Sequence, residues 1–100
     1  MNFAVVRFVD GEPTTFVFES EQEGQEWIAK AEELVNEMVA LENAIGQEDA
    51  MEYLSRAFRW LNKASNFWCR FGKEKVPTDI RSYTNIIQSA AGIPQTNWEE

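Results

Sequence analysis

The sequence predicts an α+β domain: an N-terminal β-hairpin, a long antiparallel helical hairpin and a short third helix. Three observations carry this. Residues 3–19 hold two short runs of β-branched and aromatic side chains around a Gly/Pro turn. Residues 20–71 hold two apolar stripes at alternating steps of four and three, parted by Gly46. Residues 78–90 hold a third, shorter stripe closed by Gly92 and Pro94. A chain of 100 residues has material for one core, so residues 1–94 read as a single domain and 95–100 as a C-terminal tail.

The first element runs from Phe3 to Val9, and Asp10-Gly11-Glu12-Pro13 supplies turn-forming residues before a second strand from Thr14 to Glu19. An isolated hairpin is barely stable in water, so this one has to pack on helices or pair with another chain.

Ser20-Glu21-Gln22-Glu23 matches a capping box, in which serine and glutamate satisfy the unpaired amides at a helix start. From there Trp27, Ala31, Leu34, Met38, Leu41 and Ile45 form an apolar stripe, widened by Ile28, Val35 and Val39 and stopped at Gly46. A second helix begins between Gln47 and Asp49. Its central stripe is Ala50, Leu54, Ala57, Leu61, Ala64, Trp68 and Phe71. Tyr53, Trp60 and Phe67 form a parallel row seven residues apart, and Met51 and Phe58 extend the other side. The apolar arc spans roughly 200° at 100° per residue, which makes this helix either the centre of the domain or one with an exposed aromatic margin.

After a linker from Lys73 to Pro77, Thr78 or Asp79 is expected to cap the third helix, with Ile80, Tyr83, Ile86, Ile87 and Ala90 facing inward. The short link at Gly46 makes the two long helices antiparallel neighbours. Their heptad-like spacing suits an intermolecular seam as well, and the short link favours the internal pairing.

Composition excludes several kinds of chemistry. There is no histidine, which removes the commonest general base, the Ser-His and Cys-His nucleophile pairs and the usual zinc sites. Neither GxGxxG nor GxxxxGK[ST] occurs. Cys69 is the single cysteine, so no intramolecular disulfide forms, and a lone cysteine fits a reducing compartment. It reads as a small buried hydrophobe. The carboxylate pairs Glu32-Glu33 and Glu48-Asp49 read as solvated. No stretch approaches the ~18 apolar residues of a membrane span, and Met1 to Arg7 lack the basic region and long apolar run expected of a signal sequence. The expectation is a cytoplasmic protein that is not an enzyme and uses no cofactor or metal.

Net charge is −8, unevenly spread: thirteen acids face two bases in residues 1–52, and four acids face seven bases in residues 53–100. Three candidate binding surfaces follow. One is acidic: Glu19, Glu21, Glu23, Glu26, Glu33 and Glu37, with Glu26, Glu33 and Glu37 on one flank of the first long helix. Carboxylates in such a row imitate phosphates and occupy grooves made for nucleic acid. The second is the row Arg56, Arg59, Lys63 and Arg70 beside Trp60 and Phe67, a hot-spot composition for a protein partner. Its alternative reading is pairing with the glutamates of the first helix. Direct binding of nucleic acid is opposed by the overall charge and a pI near 4.5. The third is the hairpin edge, where Phe3, Val5, Phe16 and Phe18 sit on strands that would give a four-stranded sheet across a homodimer.

In size, net charge and lack of catalytic residues the chain resembles small acidic inhibitors of phages and other mobile elements, many anti-CRISPR and anti-restriction proteins among them. No family motif accompanies that resemblance. It implies a protein-binding module acting in the host cytoplasm. Such a module blocks a protein or nucleoprotein complex by surface occlusion. The candidate contact residues are then Glu26, Glu33, Glu37, Arg56, Arg59, Trp60, Lys63 and Phe67. The alternatives are an assembly protein that homodimerises through its hairpin and a small enzyme using Cys69.

Overall fold

The computed structural model describes residues 2–9, 11–47 and 49–99. Its elements are β1 (Phe3–Val9), β2 (Glu12–Phe18), α1 (Glu21–Ala44), α2 (Ala50–Phe71) and α3 (Thr78–Ala90), with a 3-10 turn over Lys73–Lys75. The α+β architecture of hairpin, two long helices and short third helix is therefore present. Asp10 of the expected turn and Glu48 of the expected carboxylate pair lie outside the described residues.

The strands pair antiparallel with Val9 opposite Glu12 and Phe3 opposite Phe18. The turn is thus shorter than expected: Gly11 takes φ 81°, and Glu12 and Pro13 belong to the second strand. Proline is tolerated there because both strands of a two-stranded sheet are edges. Alternation sends Phe3, Val5, Phe16 and Phe18 to one face, where Phe16 and Phe18 are buried against Trp27 with ring centroids 4.8 and 5.4 Å away. Full burial of such a ring contributes about 1.5–3 kcal/mol, which is what holds a two-stranded sheet in place. Arg7, on the same face, forms a bidentate bridge to Asp79 at the start of α3, both N–O distances 2.9 Å.

Ser20 caps α1 as expected, its Oγ accepting from the Glu23 amide at 3.2 Å. The stripe Trp27, Ala31, Leu34, Met38 and Leu41 is buried, while Ile45 falls past the helix end and is exposed. Asp49 caps α2, accepting from the Met51 amide at 2.7 Å. In α2 the buried residues are Ala57, Trp60, Ala64, Phe67 and Phe71. Leu54 is exposed, and Leu61 and Trp68 are half-buried. The helix is therefore turned by about 50° from the expected inner face, at 100° per residue.

The segment expected as a linker is part of the packed structure, with Val76 and Pro77 buried. Pro77 occupies the N-cap position of α3 without a side-chain cap, so neither Thr78 nor Asp79 is the N-cap residue; Asp79, inside the first turn, binds Arg7 and also accepts from the Ile80 amide at 3.0 Å. Ile80, Tyr83, Thr84 and Ile87 face inward, whereas Ile86 and Ala90 do not. Thr84 is buried without penalty because its hydroxyl donates to the Ile80 carbonyl at 2.7 Å. The expected tail folds back on α3. Gln88 and Thr96 exchange two hydrogen bonds, and Trp98 stacks edge-on against Trp68 at 5.1 Å while donating to Asn85.

Gly24 is buried in the first turns of α1, and a Cβ there would overlap the Phe3 ring. Glycine inside a helix ordinarily costs up to ~1 kcal/mol relative to alanine. Here Gly24→Ala is expected to lose about 1 kcal/mol in urea unfolding rather than gain it. With Phe3→Ala already in place, the same substitution should become stabilising.

Candidate protein-interaction surfaces

The acidic and basic candidate rows meet each other. Glu26, Glu33 and Glu37 lie on the flank of α1 that faces the basic flank of α2. Lys63 Nζ donates to Glu37 at 2.5 Å and to Glu33 at 3.3 Å, and Arg70 Nη2 donates to Glu26 at 3.1 Å. All of these side chains are roughly half exposed, so each pair is screened by water and salt. Lys63 is held above its ordinary pKa of 10.5 by its hydrogen bonds to Glu37 and then Glu33. Arg56 is half-buried on the same side, and Arg59 is exposed with no ion pair among the described residues. Between the helices runs an open groove of about 320 Å³, floored by Leu34 and Phe67 and walled by the paired charges. These carboxylates already have cationic partners in the same molecule, which weakens their imitation of a phosphate row.

Trp60 and Phe67 are in the core, 1% and 4% exposed. Trp60 donates its indole N–H to the Leu34 carbonyl at 2.9 Å and meets the Tyr83 ring edge-on at 5.0 Å. Phe67 packs between Trp27 and Phe71. Neither ring is accessible as an anchor for a partner in this fold. Their neighbours held the signal: a basic row that faces the glutamates of α1 must bring the adjacent aromatic row inward with it.

The exposed apolar margin of α2 lies on its other side. Met51 is 74% exposed and Phe58 45%, with Leu54 between them. Positions 51, 54 and 58 share a face at 100° per residue, bordered by the uncharged Ser55, Asn62 and Ser65. Cys69 lies on this outward side and is exposed, so its expected burial does not hold.

The hairpin also has an apolar outer face. Val6, Phe8 and Val17 are exposed, Phe8 at 71%. Among the described residues no cluster of three or more His, Cys, Asp or Glu side chains is placed to hold a metal ion. Among the described residues no helix is long and apolar enough to cross a membrane either.

Comparison with protein-family models finds no match, and comparisons with curated proteins and with solved structures find no significant similarity.

Two measurements follow from the core chemistry. Burial, and then its hydrogen bond to Tyr53, pushes the Tyr83 phenol above its ordinary pKa of 10.0. The folded chain therefore keeps that proton at pH values where the unfolded chain has lost it, and stability falls as pH rises past about 10. Lys63 acts in the same direction, since its contribution is present below 10.5 and lost through its raised value. Thermal melting at pH 8 and pH 10.5 should show this loss, and Tyr83→Phe should lessen it. Separately, Trp60→Ala is expected to cost about 3–5 kcal/mol of stability. Phe58→Ala should cost about 1 kcal/mol or less, as its ring is substantially in water.

Proposed function

We propose that this chain is a small acidic protein-binding module that acts without catalysis, occluding a surface on a protein or nucleoprotein complex. The contact face is the outward margin of α2. The observation that carries this reading is the stripe Met51, Leu54 and Phe58 at i, i+3 and i+7. These are large apolar side chains left in water on a helix whose opposite face already fills the core. That spacing is how an amphipathic helix enters an apolar groove on a partner. Scattered exposed leucines need no explanation, but three on one helical face bordered by uncharged residues form a patch. Resemblance in size and charge to the inhibitors of mobile elements supports the same class of function, with the host cytoplasm as its setting. Glu26, Glu33 and Glu37 of α1 are paired with Lys63 and Arg70, so the binding energy comes from burying apolar surface and the remaining acids tune encounter and solubility.

The test is capture of partners from a host lysate at low and high salt, with variants compared side by side. A partner held by the α2 margin survives high salt and is lost with Met51→Lys/Phe58→Glu. It should be kept by Glu26→Gln/Glu33→Gln/Glu37→Gln. Circular dichroism must show both variants folded. Loss with the glutamine triple variant and retention with the α2 variant would assign the contact to the acidic flank and end this reading.

A further inference from the structure

We infer that the free edge of β1 pairs with the β1 edge of a second copy of this chain, joining two hairpins into one four-stranded antiparallel sheet. The two edges of the hairpin differ. A two-residue turn between Val9 and Glu12 makes that pair the first hydrogen-bonded pair of the ladder. Alternation from there turns the backbone N–H and C=O groups of Ala4, Val6 and Phe8 outward on β1, and those of Pro13, Thr15 and Val17 outward on β2. Two features agree with this assignment. Proline sits where its missing N–H would have pointed outward, and the outward Val17 carbonyl accepts from Lys75 Nζ at 2.7 Å.

The β2 edge is thus blunted by a proline and a lysine, two devices by which proteins stop edge strands from recruiting others. The β1 edge has neither. Among the described residues nothing bonds the outward groups of Ala4, Val6 and Phe8, whose side chains are exposed. The one charge in the strand, Arg7, is turned to the inner face and held by Asp79.

A second copy of β1 fits this edge in register. A two-fold axis pairs identical strands antiparallel, and hydrogen-bonded pairs must then match outward residues with outward residues. Centring the axis on Val6 sets Val6 against Val6 of the partner subunit and Ala4 against the partner's Phe8. This register overlaps the whole of β1 and uses all three outward residues. It places a large ring beside a small side chain and sets Arg7 opposite the partner's Val5, so no like charges face each other. Shifting the axis to Arg7 would oppose two arginines, which is destabilising, and shifting it to Val5 shortens the overlap. The strand carries no acid of its own, and the carboxylate beside it, Asp79, is engaged by Arg7, so two molecules of charge −8 meet along segments that carry no unpaired acid of their own. Their general repulsion predicts that association tightens as salt rises, the opposite of an interface held by ion pairs.

This inference concerns a surface other than α2, and the two are separable: Met51→Lys/Phe58→Glu should still dimerise. Analytical ultracentrifugation of the full chain, carrying Cys69→Ser to prevent disulfide linkage, is the experiment. The expected result is a concentration-dependent shift to twice the monomer mass, with slowed amide exchange at Ala4, Val6 and Phe8. Val6→Pro removes an outward donor without touching the internal ladder and should halve the mass. Thr15→Pro makes the same change on the blunted edge and should leave the dimer intact. If Val6→Pro fails to fold, Val6→Glu and Val6→Lys replace it: each alone should be monomeric, and their mixture should recover the dimer mass. A wild-type chain that stays monomeric at every concentration and salt overturns the inference. So does a dimer that survives a folded Val6→Pro, or a charge-swapped mixture that stays monomeric.

Discussion

Trp27 is the constraint on which the other elements depend. Its ring is 1% exposed and touches Phe16 and Phe18 of the hairpin on one side and Phe67 of α2 on the other. Its indole N–H donates to the Lys75 carbonyl at 2.8 Å, which fixes the 3-10 turn leading into α3. One side chain thereby joins the hairpin, both long helices and the connection to the third. A buried indole needs both an apolar cage and an acceptor, and this one has each from a different part of the chain. Trp60 repeats the arrangement further along the helices, bonded to the main chain of α1 and packed on Tyr83 of α3.

The uneven charge of the sequence has a structural resolution. An acidic first half and a basic second half become two facing flanks of one helical hairpin, with Lys63 and Arg70 across from Glu26, Glu33 and Glu37. Pairs this exposed add little to stability, but they select one rotation of α2 about its axis over another, because the wrong rotation leaves the glutamates facing apolar surface. Charge here sets orientation, and the aromatic core supplies the energy. Once that rotation is set, Met51, Leu54 and Phe58 necessarily point away from the bundle.

The elements themselves were legible because their signals are local. Ser20 with Glu23 and Gly46 as a stop each act within one turn of chain, and the alternation in β1 acts within one strand. The inner face of α2 was not legible from periodicity alone. An arc of about 200° contains several equally regular stripes, and the stripe through Leu54 and Leu61 is as periodic as the one through Trp60 and Phe67. On the inner face the small Ala57 and Ala64 alternate with the large Trp60 and Phe67, all four buried. Contacts between distant residues were beyond any such reading. Arg7 finds Asp79 across 72 positions, and Trp98 finds Trp68 from a segment that looks like a tail. The candidate surfaces suffered most, since hot-spot composition describes a buried aromatic row and an exposed one equally well.

Cys69 has a consequence of its own. With one thiol per chain, and that thiol in water on the outer side of α2, every disulfide this protein forms joins two molecules. Such a bond is made at a place on the molecule different from the edge of β1. A protomer able to link to one neighbour through sulfur and to another through a strand has two two-fold contacts whose axes need not close into a ring, and repetition of the two gives an open string of molecules. If β1 pairs as inferred, oxidation of that one side chain would carry a discrete dimer into such a string.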